Sequence, residues 1–132
     1  MAGETNLDNL LKSMSPELQA GEWIFTTIES AAYGDFAHLK PIVTVQESEG
    51  LTLIISQEEA VKNHITFDSS YKMITLQIHS SLEAVGLTAA FATKLGEHGI
   101  SANVIAGFFH DHIFVQASKA EEAVEALKEL QS

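Results

Sequence analysis

The chain has 132 residues, 45% of them apolar, with 18 acidic side chains against 7 basic ones and a formal charge of −11. Every basic residue is lysine, so no guanidinium fork exists to grip phosphate or a guanine edge, and the negative field repels nucleic acid and anionic membranes. Cysteine is absent, which excludes disulfides, thiolate metal sites and cysteine nucleophiles, and no run of about 20 apolar residues is present to cross a bilayer.

Eight acidic residues fall up to Gly50 and ten after it, so the charge is a solvated surface rather than a tail. This size suits one compact domain or two small modules. The opening stretch lacks the basic end and small-residue cleavage site of a secretory signal, and a cytoplasmic location is expected.

Residues 1–21 are expected to hold an amphipathic helix with Leu7, Leu10, Leu11 and Met14 on one face. Glu22–Glu29 reads as a strand with Trp23, Phe25 and Thr27 on one face, followed by a connection too broken by Gly34 and Pro41 for a long helix. Ile42–Glu47 and Leu51–Ser56 are β-branched runs around Gly50, which predicts a hairpin. Ser56, three residues before Glu59, is placed to cap a short helix through Asn63, and Ile65–Phe67 reads as a brief strand or the approach to one.

From Met73 the pattern restarts. Met73–His79 alternates around Ile74, Leu76 and Ile78; a helix from Leu82 to His98 follows, stopped by Gly99; Ser101–Phe109 is the next strand. His110 and Asp111 are expected to turn the chain, Ile113–Ala117 to return, and Ser118 to cap a last helix through Leu130 with Ala123, Val124 and Leu127 inward. Phe108 and Phe109, side by side in a strand, would point to opposite faces.

The second half thus reads β-α-β-β-α and lacks the strand that would flank its first one in a four-stranded β-α-β-β-α-β sandwich. An exposed edge there is costly. Its cover is expected from the Glu22–Glu29 strand, the segment near Ile65 or another subunit, and the last of these motivates a homodimer. The first half repeats the order with its first helix eroded. Two related modules are expected, over residues 22–71 and 72–132.

Several residues invite chemistry. A helix start at Gly86, among the small residues Ala84, Ala89 and Ala90, offers unpaired N–H groups and a partial positive charge to a carboxylate without needing arginine. The same glycine also suits close helix packing. Thr88 adds a hydroxyl. Asn103 can read an amino or amide group, or satisfy a backbone group at the strand end. His110, Asp111 and His112 suggest zinc, iron or nickel, yet two histidines do not complete a site and no His-Glu-x-x-His helix supplies more. His79 with Ser80 and Ser81 lacks a nucleophile elbow, and no Gly-x-Gly-x-x-Gly loop surrounds Gly86. No enzyme activity and no cofactor are expected.

The elements from Ser81 to Gly107 (SLEAVGLTAAFATKLGEHGISANVIAG) and the hairpin Gly107–Val115 (GFFHDHIFV) resemble the ACT-domain superfamily, in particular small bacterial ACT-like proteins and the paired ACT regions of aspartate kinases. The likeness is strong over residues 72–130 and weaker over 22–71. It implies an α+β fold of tandem ferredoxin-like modules with antiparallel sheets, the first helix of the N-terminal module reduced. It further implies an amino acid or similar effector bound at an interface between modules. By position the resemblance assigns Val85, Gly86, Leu87 and Thr88, with Asn103, Val104 and Ile105 on the following strand. Aspartate kinases attach such regions to a catalytic domain, and none is present in these 132 residues. The function expected is that of an allosteric or sensory protein; the alternatives are a protein–protein adaptor without a metabolite and a metal-dependent enzyme centred on His110 and His112.

Overall fold

The structure, a computed structural model, describes residues 6–77 and 86–131. In chain order the elements are α1 (Leu7–Ser13), β1 (Ser15–Leu18), β2 (Trp23–Glu29), β3 (Val43–Gln46), β4 (Gly50–Ser56), α2 (Gln57–Lys62), β5 (Tyr71–Gln77), α3 (Leu87–Glu97), β6 (Asn103–Ala106), β7 (Asp111–Gln116) and α4 (Ala120–Lys128). They form two compact units, one of residues 21–71 and the other combining the chain up to Ala20 with the chain from Lys72 onward. Both are α+β with antiparallel ladders, the tandem ferredoxin-like arrangement.

In the unit of residues 21–71, β4 lies between β3 and β2, paired along seven residues of β2 from Trp23↔Ser56 to Glu29↔Gly50. Ile24, Leu51, Leu53 and Ile55 point to one face and make a core with Leu39 and Ala60. Trp23 and Phe25 share the other face, where Phe25 meets Tyr71 edge-on at 4.9 Å between ring centroids. The capping expected at α2 is present: the Glu59 N–H donates to Ser56 Oγ at 3.1 Å. The first helix is reduced to a single 3₁₀ turn, Ala37–Leu39. Ile65–Phe67 forms no ladder and is only the approach to β5.

In the other unit the strand order is β1-β5-β7-β6. Here the expected cover for β5 is corrected. The missing fourth strand is β1, paired antiparallel from Ser15↔Gln77 to Leu18↔Ile74, so it comes from before the first module rather than from the Ile65 segment or a second chain, and β2 meets β5 only at Trp23↔Tyr71. Pro16, which has no N–H to donate, is tolerated because β1 is an edge strand. The stretch expected to be helical through residue 21 is therefore a seven-residue helix followed by this strand. Asn6 caps α1, accepting from the Asn9 N–H at 3.1 Å. Leu10 and Met14 enter one core with Ile74, Leu76, Phe91, Leu95, Ile113, Val115 and Leu127. The Gln131 side-chain amide also donates to the Met14 carbonyl, tying the last turn of the chain to this segment.

α3 ends as the sequence predicts. Gly99 takes φ +70, its N–H donates to the Gly96 carbonyl, and the Ile100 N–H donates to that of Leu95 at 2.9 Å. This is a Schellman stop, with Leu95 and Ile100 both buried beneath it. Two expectations fail nearby. Ser118 caps nothing: a 3₁₀ turn, Ala117–Lys119, leads into α4 without a side-chain cap. The strand expected through Phe109 ends at Ala106, because the Gly107 N–H donates to the His110 carbonyl at 3.0 Å and closes the turn there. Phe108 and Phe109 are consequently both exposed, at 64% and 61%, with neither ring in the core.

Candidate functional site

Gly86 heads α3 in the left-handed conformation, φ +91, and its carbonyl accepts the Ala90 N–H at 2.9 Å. A residue with a side chain is strained there, which explains the glycine locally. Among the described residues no side chain caps this helix, whereas Asn6 and Ser56 cap α1 and α2. The first-turn amides and the positive end of this eleven-residue helix therefore meet no side-chain acceptor among the described residues. Leu87 is buried and anchors the turn in the core, while Thr88 is exposed. Leu7 of α1 comes close: a Cβ on Gly86 would lie 3.2 Å from Leu7 Cδ2. Val85, like Ala84, Ser81, Ser80 and His79, lies outside the described residues.

The second set stands on β6. α3 carries the chain about 16 Å away from Gly86 before β6 begins, so Asn103 starts the strand at the far end of the helix from that turn. Its side-chain amide donates to the Phe114 carbonyl at 3.1 Å, the residue with which it is paired. Of the two roles open to Asn103, this geometry favours satisfying backbone. Val104 packs against the core and Ile105, opposite His112, is half-buried.

The His110–His112 segment differs from expectation in a way that bears on metal binding. Asp111 does not turn the chain; it opens β7, paired with Ala106, and is only 7% exposed. Asp111 and His112 are consecutive strand residues and so project to opposite sheet faces, which keeps them from sharing one ion. Among the described residues no group of three or more His, Asp or Glu side chains is gathered as a metal ion requires. His112 instead shares a hydrogen bond with the buried Thr75 hydroxyl, Nδ1 to Oγ1 at 3.0 Å.

Burial dominates the titration of both residues. It pushes the Asp111 carboxyl above its ordinary value of 3.8, with His112 and His110 pulling the other way. It pushes His112 below 6.5, with His110 adding to the effect and Asp111 opposing it. A raised carboxyl contributes stability below pH 3.8 that is lost as pH rises through the folded-state value; a depressed imidazole contributes stability above pH 6.5 that is lost as pH falls through its folded-state value. Asp111→Asn is therefore expected to stabilise the protein at pH 7, and the gain should shrink on acidification toward pH 3. Urea unfolding of both proteins at several pH values measures this; a pH-independent difference would contradict the assignment.

The unit of residues 21–71 carries two clefts that sequence reading did not assign. One, of about 610 Å³, is lined by Thr27, Glu29, Ser30, Gln46, Glu47 and Glu49 and is too acidic to suit a carboxylate. The other, of about 370 Å³, is lined by Tyr33, Asp35, Lys40, Ile42 and Thr44. Ser30, Phe36 and Lys40, in the connection that borders them, all have φ between 55° and 65°. The one advance signal of that geometry was a connection too broken for helix.

Two family models, each described as ACT domain, match this chain over residues 2–72 and 68–129. No curated protein matches it. Among solved structures, a protein of unknown function from Vibrio cholerae, described as a possible transport protein, is 55% identical with a TM-score of 0.87, each chain covered over 96% of its length. A protein from Agrobacterium tumefaciens is 15% identical, with a TM-score of 0.74 and 89% of each chain covered. The ligand-free regulatory subunit of aspartate kinase from Thermus thermophilus is 10% identical, with a TM-score of 0.61 over 89% of this chain and 97% of that one.

Proposed function

Because the chain belongs to the ACT-domain family, we propose that it is a regulatory or sensory module that binds an amino acid or similar small carboxylate and performs no chemistry of its own. It would act in the cytoplasm as a homodimer, ligand binding shifting the geometry of the pair or of a partner. The observation that carries this reading is the Gly86 turn: a helix start held by a left-handed glycine and, among the described residues, without a side-chain cap, in a chain without arginine. The carboxylate would be held by the first amides of α3, assisted by the exposed Thr88 hydroxyl. That one structural relative is the regulatory subunit of an aspartate kinase is consistent with the reading.

The test is a thermal-shift screen of the amino acids and common metabolic carboxylates, followed by calorimetry. A ligand held at a hundred times its Kd is expected to add about 2.7 kcal/mol of stability. For the ligand so found, Gly86→Ala is expected to weaken binding at least tenfold. Gly99→Ala, also at positive φ but with open space around its Cβ, supplies the same backbone strain away from the site and should leave affinity unchanged. A flat screen would favour the second reading, a protein–protein adaptor, which the exposed Phe108–Phe109 pair supports.

A further inference from the structure

We infer that Asp111 receives the ammonium group of the bound molecule, so that the ligand is an α-amino acid rather than an α-keto acid or another simple carboxylate. This rests on the ligand site proposed above at the start of α3 and names its second pole. The placement follows from the register of β6 on β7. α3 ends at Glu97, and the chain turns at Gly99 and enters β6 at Asn103, opposite Phe114. β6 then runs back and finishes at Ala106, opposite Asp111. The end of α3 thus lies at the Phe114 end of this strand pair, and its start, about 16 Å back along the helix, at the Asp111 end. Asp111 alternates with Ile113 and Val115, whose side chains join Leu87, Phe91 and Leu95 of α3 in one core. The carboxyl is accordingly on the face that α3 covers, at the end where α3 begins.

Nothing in the protein answers this carboxyl. Asp111 is 7% exposed, yet among the described residues it meets no hydrogen-bond donor and no ion-pair partner through its side chain. Its cross-strand neighbour Ala106 has no donor to offer, and His112, the next residue, projects to the opposite face and bonds Thr75. Buried polar groups in folded proteins are nearly always paired, and a carboxylate taken out of water without a partner lowers stability. A side chain retained in that state suits an incoming group that brings several N–H donors and a positive charge. An ammonium brings both. The amides at the start of α3 take the ligand's carboxylate and Asp111 its ammonium, so the two poles of the site match the two charges of an amino acid. In a chain at −11 the overall field favours any amine; the helix start adds the demand for a carboxylate on the same molecule.

Calorimetry with amino acids and their α-keto acid counterparts, pair by pair, tests this: L-alanine with pyruvate, L-glutamate with α-ketoglutarate, L-phenylalanine with phenylpyruvate, and the other amino acids likewise. The α-keto acid keeps the carboxylate and the side chain and lacks the ammonium, and is expected to bind about a hundredfold more weakly than its amino acid. Asp111→Asn, which keeps the shape and removes the charge, should weaken the amino acid about thirtyfold and leave the α-keto acid unchanged. Because that variant is expected to be more stable than the wild type at pH 7, a loss of binding would not come from unfolding. Equal affinity for an amino acid and its α-keto acid, or an Asp111→Asn variant that holds the amino acid as tightly as the wild type does, would overturn this inference and leave the site at α3 standing. Absence of binding by every amino acid and every α-keto acid would overturn the carboxylate site itself, and this inference with it.

Discussion

Met14→Ala and Leu10→Ala are each expected to lower the unfolding free energy by about 2–5 kcal/mol, as central core substitutions do, although both residues lie in the first 14 of the chain. Met14 is 0% exposed and Leu10 1%, and both pack in one cluster with Phe91, Leu95 and Leu127 from the other end of the sequence. Truncating either leaves a cavity that helices pinned to a sheet collapse into only partly. Lys12→Ala, on the exposed side of the same helix, is the control and should change stability by less than about 0.5 kcal/mol. Urea denaturation of the three variants decides the matter. If Met14→Ala and Lys12→Ala behaved alike, the segment from Leu7 to Leu18 would be an appendage rather than part of the unit beginning at Lys72.

Gly50→Ala should cost about 3 kcal/mol, more than a turn glycine in open space. A Cβ built on Gly50 lies 2.6 Å from the Ile28 carbonyl oxygen, 3.0 Å from the Ile28 carbonyl carbon and 3.1 Å from Glu29 Cα. All three are backbone atoms of the strand it pairs with, so no side-chain rotation relieves the clash and the β2–β4 ladder must open. Gly34→Ala is the comparison: φ is +96 with nothing within 4 Å of the added methyl, so only the backbone preference is lost, about 1 kcal/mol. Thermal and chemical unfolding should rank Gly50→Ala as much the more damaging. Equal effects would mean that Gly50 serves only the turn.

That contrast also shows where sequence reading stops. Gly50 was legible as punctuation between two β-branched runs, yet its reason for being glycine is the approach of β2, which lies more than twenty residues earlier in the chain. Phe108 and Phe109 read as strand because aromatic residues favour strands, but one local hydrogen bond from Gly107 to His110 ended β6 before them. Asp111 read as a turn residue by its type; pairing with Ala106 made it the buried first residue of β7. In each case a nonlocal or turn-closing contact outweighed a local preference.

At the candidate site the division is similar. The helix after Gly86 followed from its apolar periodicity, and the Gly99 stop from its position at the end of that period, but the start expected at Leu82 lies instead at Leu87, where the left-handed Gly86 heads the helix. The engagement of Asn103 with the Phe114 carbonyl needed the register of β6 on β7, which no spacing within β6 contains.

The sequence alone determined the two β-α-β-type modules, the faces of their helices, the Gly99 stop of α3 and the exclusion of thiolate and arginine chemistry, because periodicity and composition act within a few residues. Only the tertiary structure decided which strand completes the second module. Ser15–Leu18 is four residues long with a proline in it, too short to announce itself as a strand by pattern. It is held by hydrogen bonds to β5 and by the burial of Leu10 and Met14 just ahead of it, and these partners lie some sixty residues or more away in the chain.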